Sequence, residues 1–90
     1  MYKIILSKQV QKFLDLLSDE YVRSFQEKLN ILSKNPFSRE TNLDIVPLIG
    51  KPKGFYRIRI GNYRFLYEIR KSEIIIYFYK AESRGDVYKK

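Results

Sequence analysis

The chain contains no cysteine, no histidine and no tryptophan. Without cysteine there is no disulfide framework, no zinc–thiolate site and no thiol nucleophile. Without histidine the commonest general base and metal ligand is missing, together with every Ser–His or Cys–His catalytic arrangement. Glycine and proline are scarce, at four and three residues, and the composition is that of a globular domain. No apolar run approaches the length of a membrane span. The N-terminus, MYKIILSK, lacks the apolar region and small-residue cleavage site of a signal peptide. The expectation from these absences is a cytoplasmic protein with no metal and no cofactor.

What is present is positive charge. Ninety residues make one expected domain, 1–90, with a single core. The net charge of +8 is unevenly spread: residues 1–50 carry +1 and residues 51–90 carry +7. A basic half on a small domain points to a polyanion, either nucleic acid or an acidic protein segment. A plain Lys-rich surface would serve solubility alone. Here the arginines fall at alternate strand positions rather than in a solvated run.

Those arginines sit in FYRIRIGNYRFLYEI, Phe55 to Ile69. The stretch reads as two strands joined at Gly61-Asn62. A Gly-Asn loop is a type II′ hairpin signal, with glycine where φ must be positive. This loop sets the register, so Ile60 faces Tyr63, Arg59 faces Arg64, Ile58 faces Phe65 and Arg57 faces Leu66. One hairpin face is apolar and aromatic, and the other collects Arg57, Arg59 and Arg64. Like charges directly opposite one another are destabilising, which calls for an anion at that face.

Upstream, Tyr2 to Leu6 reads as a strand and Ser7 as an N-cap. Val10, Phe13, Leu14 and Leu17 recur at helical spacing over Lys8 to Leu17. Ser18 and Asp19 cap a second helix, whose stripe is Val22, Phe25, Leu29 and Leu32. Asn35-Pro36 ends it. Leu43 to Ile49 is apolar but contains Pro47, so it reads as a turn or edge segment. GKPKG, residues 50–54, is a loop that places Lys51 and Lys53 beside the arginine strand, as solvated turn residues or phosphate contacts. Strands are expected at about 55–60, 63–70 and 73–80.

With a turn at Lys71-Ser72, Ile69 faces Ile74, Tyr67 faces Ile76 and Phe65 faces Phe78. Tyr56, Tyr63, Phe65, Tyr67 and Phe78 then belong to the core. Tyr77 falls beside Leu66, and Tyr79 beside Arg64 on the arginine face. The last ten residues, AESRGDVYKK, leave the strand pattern, with Tyr88 either packing the tail on the sheet or serving the site. The predicted fold is α+β: an N-terminal strand, an α-helical hairpin, then a three-stranded meander completing a four-stranded, mainly antiparallel sheet. The helices cover the apolar face and leave the basic face open.

The segment YRIRIGNYRFLYEI, a further strand, and then SRGDVYKK resemble the RelE/ParE superfamily of toxin–antitoxin toxins. The likeness runs through nearly the whole chain and is nearest to the RelE-type ribosome-dependent mRNA interferases, especially archaeal ones. It implies a toxin that enters the ribosomal A site and cleaves mRNA there. The mRNA's own 2′-OH attacks the adjacent phosphate, leaving a 2′,3′-cyclic phosphate and a 5′-OH. It implies as partners a cognate antitoxin, the ribosome and mRNA. The family's basic strand residues correspond to Arg57 and Arg59, its arginine after the hairpin loop to Arg64, its C-terminal tyrosine to Tyr88, and a basic residue before that to Arg84. These are the expected catalytic residues. Lys51, Lys53 and Tyr79 are the expected RNA contacts.

Clustered guanidiniums suit this chemistry, because negative charge builds on the phosphorane and the leaving 5′-oxygen. An aromatic can stack under a splayed base. Two positions depart from well-studied bacterial members, which carry lysine at the places of Arg57 and Arg59. Some also carry an arginine where Glu82 stands. The remaining proton-transfer candidates are Tyr88, Tyr79 and Glu82. A phenol among arginines is expected to have a lowered pKa, and a glutamate among them to pair with one. Two other readings share the fold: a ParE-like toxin that inhibits DNA gyrase without nuclease activity, and an inactive homologue that only binds its antitoxin.

Overall fold

Serine begins both helices in the computed structural model. Strand β1, Lys3–Leu6, ends at Ser7, whose hydroxyl accepts from the Val10 N–H at 3.2 Å and starts α1, Lys8–Asp15. Ser18 does the same for Tyr21 at 3.3 Å and starts α2, Asp19–Lys34. Asp19 and Glu20 in the first turn of α2 and Lys34 in its last complement the helix dipole. Helix α2 stops before Asn35-Pro36 as expected, while α1 is shorter than the predicted Lys8 to Leu17. The strands that follow are β2, Asp44–Pro47, β3, Phe55–Ile60, β4, Tyr63–Arg70, and β5, Ile75–Ser83. The structure describes residues 1–37 and 42–83.

The sheet has five strands, in the order β1-β5-β4-β3-β2. All neighbours are antiparallel except β1 and β5, which run parallel. The fold class is the expected α+β, with one strand more than predicted. The extra strand is β2, which pairs antiparallel with β3 on the sheet's edge. Pro47 ends β2 at an edge, where a missing N–H is tolerated.

The Gly61-Asn62 hairpin has the predicted register throughout, with Ile60 opposite Tyr63 and Arg59 opposite Arg64. Gly61 has φ +61°, and a Cβ there would lie 2.5 Å from the Tyr21 ring. The β4–β5 register differs from expectation. A 3₁₀ turn over Lys71–Glu73 and a left-handed Ile74 (φ +57°) lengthen the connection. Ile69 therefore pairs with Ile76 and Tyr67 with Phe78. Farther on the ladder skips from the pair Tyr67–Phe78 to Leu66–Lys80, leaving Tyr79 as a bulge. Phe65 then meets Ala81, Tyr77 meets Glu68 rather than Leu66, and Glu82, not Tyr79, stands opposite Arg64. Strand β5 runs to Ser83, past the predicted end of the strand pattern at residue 80.

The inner face of the sheet and the two helices share one core. Phe25 and Leu32 of α2 and Val10 of α1 pack with Ile58, Phe65, Tyr67, Ile76 and Phe78 of the sheet. Tyr56 and Tyr63 pack against this cluster partly buried, so all five predicted core aromatics lie on it. The Phe25 ring lies 4.6 Å from Phe65 and 5.8 Å from Phe78. Helix α1 also finishes the sheet where β1 stops. Beyond Phe78, the Ser7 hydroxyl donates to the Tyr79 carbonyl at 3.3 Å. The Gln9 amide donates to the Ala81 carbonyl at 2.9 Å and accepts from its N–H at 2.8 Å. No helix among the described residues is long and apolar enough to cross a membrane.

Candidate nucleic-acid interface

Among the described residues, the opposite face of the sheet has no helix on it. Its most charged line is a cross-strand row, Asp44–Arg59–Arg64–Glu82, one residue from each of β2, β3, β4 and β5. The two arginines that the hairpin register forces together are each flanked by a carboxylate. Directly opposed like charges destabilise a sheet by a few tenths to about 1 kcal/mol, and the flanking acids offset this. The anion that the sequence called for is thus present within the chain itself.

The two carboxylates act differently. Asp44 lies 3.6 Å from an Arg57 Nη and 3.5 Å from Arg59 Nε, so it balances charge without close hydrogen bonds. Arg57 is held tightly among its neighbours, with only 12% of its side chain exposed. Its buried Nη1 has no hydrogen-bond partner among the described residues. Glu82 sits 2.7 Å from Arg64 Nη2 and 3.4 Å from Lys80 Nζ. That Lys80 and Glu82 share this face follows from the Tyr79 bulge, which turns both Tyr79 and Lys80 outward and returns Ala81 to the core. The predicted pairing of Glu82 with an arginine is the one observed.

Beyond Leu66 the face becomes aromatic. The Tyr79 ring stands 6.0 Å from Phe55 and 6.5 Å from Tyr77. Arg70 lies 5.1 Å over the Tyr77 ring and its Nε bonds Glu68 at 3.0 Å. Lys51 Nζ reaches 5.9 Å from the Phe55 centroid, within cation–π range. Lys53 is exposed on the same loop. The structure therefore brings Arg57, Arg59, Arg64 and Tyr79 onto one surface, with Lys51 at its border. Arg84 and Tyr88 lie outside the described residues.

Tyr79 does share the arginine face, but its ionisation runs against expectation. Burial, then the Glu68 and Glu82 carboxylates, push its phenol up from the ordinary value. The bulge that displaces Tyr79 from Arg64 also places it between two acids. The shift disfavours the phenolate, and the hydroxyl is buried with no hydrogen-bond partner among the described residues, which leaves the ring for stacking. Sequence reasoning missed Asp44 as a site residue. Its signal was the odd spacing of Asp44 and Val46 about Ile45 in a strand-like segment, obscured by Pro47.

The sheet thus carries a helix pair on one side and arginines beside an aromatic patch on the other, a combination that suits an anionic chain. The family model for the ParE toxin of type II toxin–antitoxin systems matches residues 4–88. Over 98% of the chain and 96% of its relative, the sequence is 32% identical to a Methanocaldococcus jannaschii protein bearing the toxin name RelE1. The fold is similar to the archaeal RelE–RelB complex of Pyrococcus horikoshii, with a TM-score of 0.81 and 34% identity over 93% of this chain and 96% of that one. It is also similar to isolated Escherichia coli RelE, with a TM-score of 0.75 at 18% identity over 98% and 92% of the two chains, a likeness of fold alone. The chain belongs to the ParE/RelE family of type II toxin–antitoxin toxins.

Proposed function

We propose that this toxin is a RelE-type mRNA interferase that cleaves mRNA in the ribosomal A site. The observation that carries the reading is the outer sheet face, where Arg57, Arg59 and Arg64 lie beside an aromatic patch of Phe55, Tyr77 and Tyr79. Guanidiniums for phosphates next to rings for bases are what a single-stranded RNA requires. In the reaction the 2′-oxygen bonds to phosphorus, the P–O5′ bond breaks, and the products are a 2′,3′-cyclic phosphate and a 5′-OH. The arginines hold the backbone for in-line attack and stabilise charge on the phosphorane. No metal or cofactor takes part. Tyr79, whose hydroxyl is buried, is suited to stacking through its ring. Arg84 and Tyr88 complete the family's residue set from the C-terminal segment, and Lys51 and Lys53 add phosphate contacts at the border.

The partner that restrains such a toxin is a cognate antitoxin. RelE of Pyrococcus horikoshii was solved in complex with RelB, and so was RelE of Methanococcus jannaschii. An acidic or amphipathic segment wrapping this domain would meet its basic face.

The test is primer extension on an mRNA held in programmed ribosomes, with the protein and its Arg64→Ala variant. Cuts confined to the A-site codon are expected with the wild type. Arg64→Ala is expected to lower cleavage at least about 100-fold, as loss of one charge-stabilising donor does, with the fold intact by circular dichroism. If neither protein cuts while DNA gyrase is inhibited, the nuclease reading falls and the ParE-like one replaces it.

A further inference from the structure

Glu82 occupies the place on Arg64 that an RNA phosphate would need. We propose that it is an exchangeable counter-ion: RNA binds at Arg64 by displacing Glu82, which moves over to Lys80. The proposal rests on the RNA-binding reading of this face.

Three observations support exchange rather than a permanent strut. First, the contact is one-sided. Glu82 meets Arg64 through Nη2, at 2.7 Å, while Arg64 Nε is buried with no hydrogen-bond partner among the described residues, so release of Glu82 would let the guanidinium turn and offer both groups to a phosphate. A guanidinium holds an anion best through two parallel N–H donors, so a phosphate that engages both has an advantage over this carboxylate. Second, the pair is not sealed. The Arg64 side chain is 38% exposed and Glu82 28%, and an ion pair so open to water is weak enough to be outcompeted.

Third, the displaced carboxylate has somewhere to go. Its other oxygen already lies 3.4 Å from Lys80 Nζ, and Lys80 is more exposed than Arg64. Release of Arg64 leaves no buried or unpaired charge, which would otherwise oppose the exchange. The Tyr79 bulge is what supplies this alternative, because it turns Lys80 to the same face as Glu82. Asp44 offers no such handover. It balances Arg57 and Arg59 at longer range, 3.6 and 3.5 Å, and among the described residues no further cation pairs with it to receive it.

Two consequences distinguish exchange from a strut. Removing the Glu82 charge should strengthen RNA binding, since Arg64 no longer has to be released. Removing Lys80 should weaken binding by more than one lost cation when Glu82 is present, and by less when it is absent.

The experiment is fluorescence anisotropy of a labelled, 2′-O-methylated single-stranded oligoribonucleotide, which the protein cannot cleave. It is titrated with wild type, Glu82→Gln, Lys80→Met and the double variant across a range of salt. Glu82→Gln is expected to bind about two- to fivefold tighter at low salt, the range of a partly exposed ion pair. Its log–log salt slope is expected to steepen by about 0.7, one more counter-ion released from Arg64. The Lys80→Met loss is expected to shrink in the Glu82→Gln background. Unchanged or weaker binding by Glu82→Gln, with its melting transition retained, overturns the proposal and makes Glu82 a strut for Arg64. Absence of binding by both wild type and Glu82→Gln overturns it too. Ribosomal cleavage is scored separately. Cuts by the wild type without the affinity gain remove the exchange and leave the nuclease, and the gain without cuts does the reverse.

Discussion

The two faces of this one sheet are built from alternate residues of the same strands and obey different rules. On the inner face, Ile58, Phe65, Tyr67, Ile76 and Phe78 are at most 1% exposed and meet Phe25 and Leu32 of α2. On the outer face, Arg59, Arg64, Lys80 and Glu82 meet water and their charged neighbours, while Arg57 is only 12% exposed beside Asp44. Inside, every methylene removed leaves a void and every unmatched polar atom costs stability. Outside, charge is screened, and rearranging it costs little. Stability is thus concentrated on one side of the strands and binding chemistry on the other.

Three experiments test that division, beginning with the largest effect. Phe25→Ala removes the ring that packs on both Phe65 and Phe78. It is expected to cost about 3–5 kcal/mol in urea unfolding. A loss near 1 kcal/mol would mean that the inner face does not carry the stability assigned to it.

Tyr67→Phe probes the same face through one atom. The Tyr67 hydroxyl is buried with no hydrogen-bond partner among the described residues. Its removal is expected to raise stability by about 1 kcal/mol at neutral pH. Burial, and then neighbouring Tyr56, push the phenol's pKa up in the folded state. Below the ordinary tyrosine value of about 10 the group is protonated in both states and adds no pH dependence. Above it the unfolded chain loses the proton while the folded one keeps it, so the folded state binds more protons and stability falls as pH rises. Wild type is expected to lose stability above about pH 10 more steeply than Tyr67→Phe. Tyr79, shifted in the same direction, leaves a smaller residual slope.

Asp44→Asn is the outer-face counterpart. Its ion pairs with Arg57 and Arg59 are long, and Asp44 itself is half-exposed, although Arg57 is largely buried. The variant is expected to change unfolding free energy by less than about 1 kcal/mol. A cost comparable to Phe25→Ala would show that the arginine face is part of the structural core after all.

The parts of the fold that were legible in the chain are those with local, repeated signals. The Gly61-Asn62 loop has two residues and a glycine at its positive-φ position, which admits few registers, and all the hairpin pairs followed. The serine caps and the α2 stripe were similarly readable. The β4–β5 register was not, because its two determinants leave no mark. Ile74 adopts a left-handed conformation that β-branched residues rarely take. The bulge at Tyr79 contains no glycine. A shift of two residues kept Ile76 and Phe78 on the inner face, while Ile74, expected opposite Ile69, lies before the strand and is exposed. The bulge then reordered the outer face, exchanging Tyr79 for Glu82 beside Arg64 and reversing the expected shift of the phenol. Asp44 was hidden for a different reason: Pro47 is unfavourable in a central strand but acceptable at the end of an edge strand.

The place of β5 in the sheet has a consequence for how the chain acquires its structure. This strand is the last described element to be synthesised, yet it is the neighbour that joins β1 to the β2–β4 meander. Ser7 and Gln9 bond it across 72 residues of sequence. Contacts that distant close slowly, since a long loop must be ordered before they form. The helical hairpin and the β3–β4 hairpin can form as they emerge, but the sheet cannot be completed until β5 has emerged. The face that carries Arg64 and Glu82 is assembled in that same step, so an emerging chain presents the β3–β4 arginines before the β5 carboxylate that pairs with Arg64.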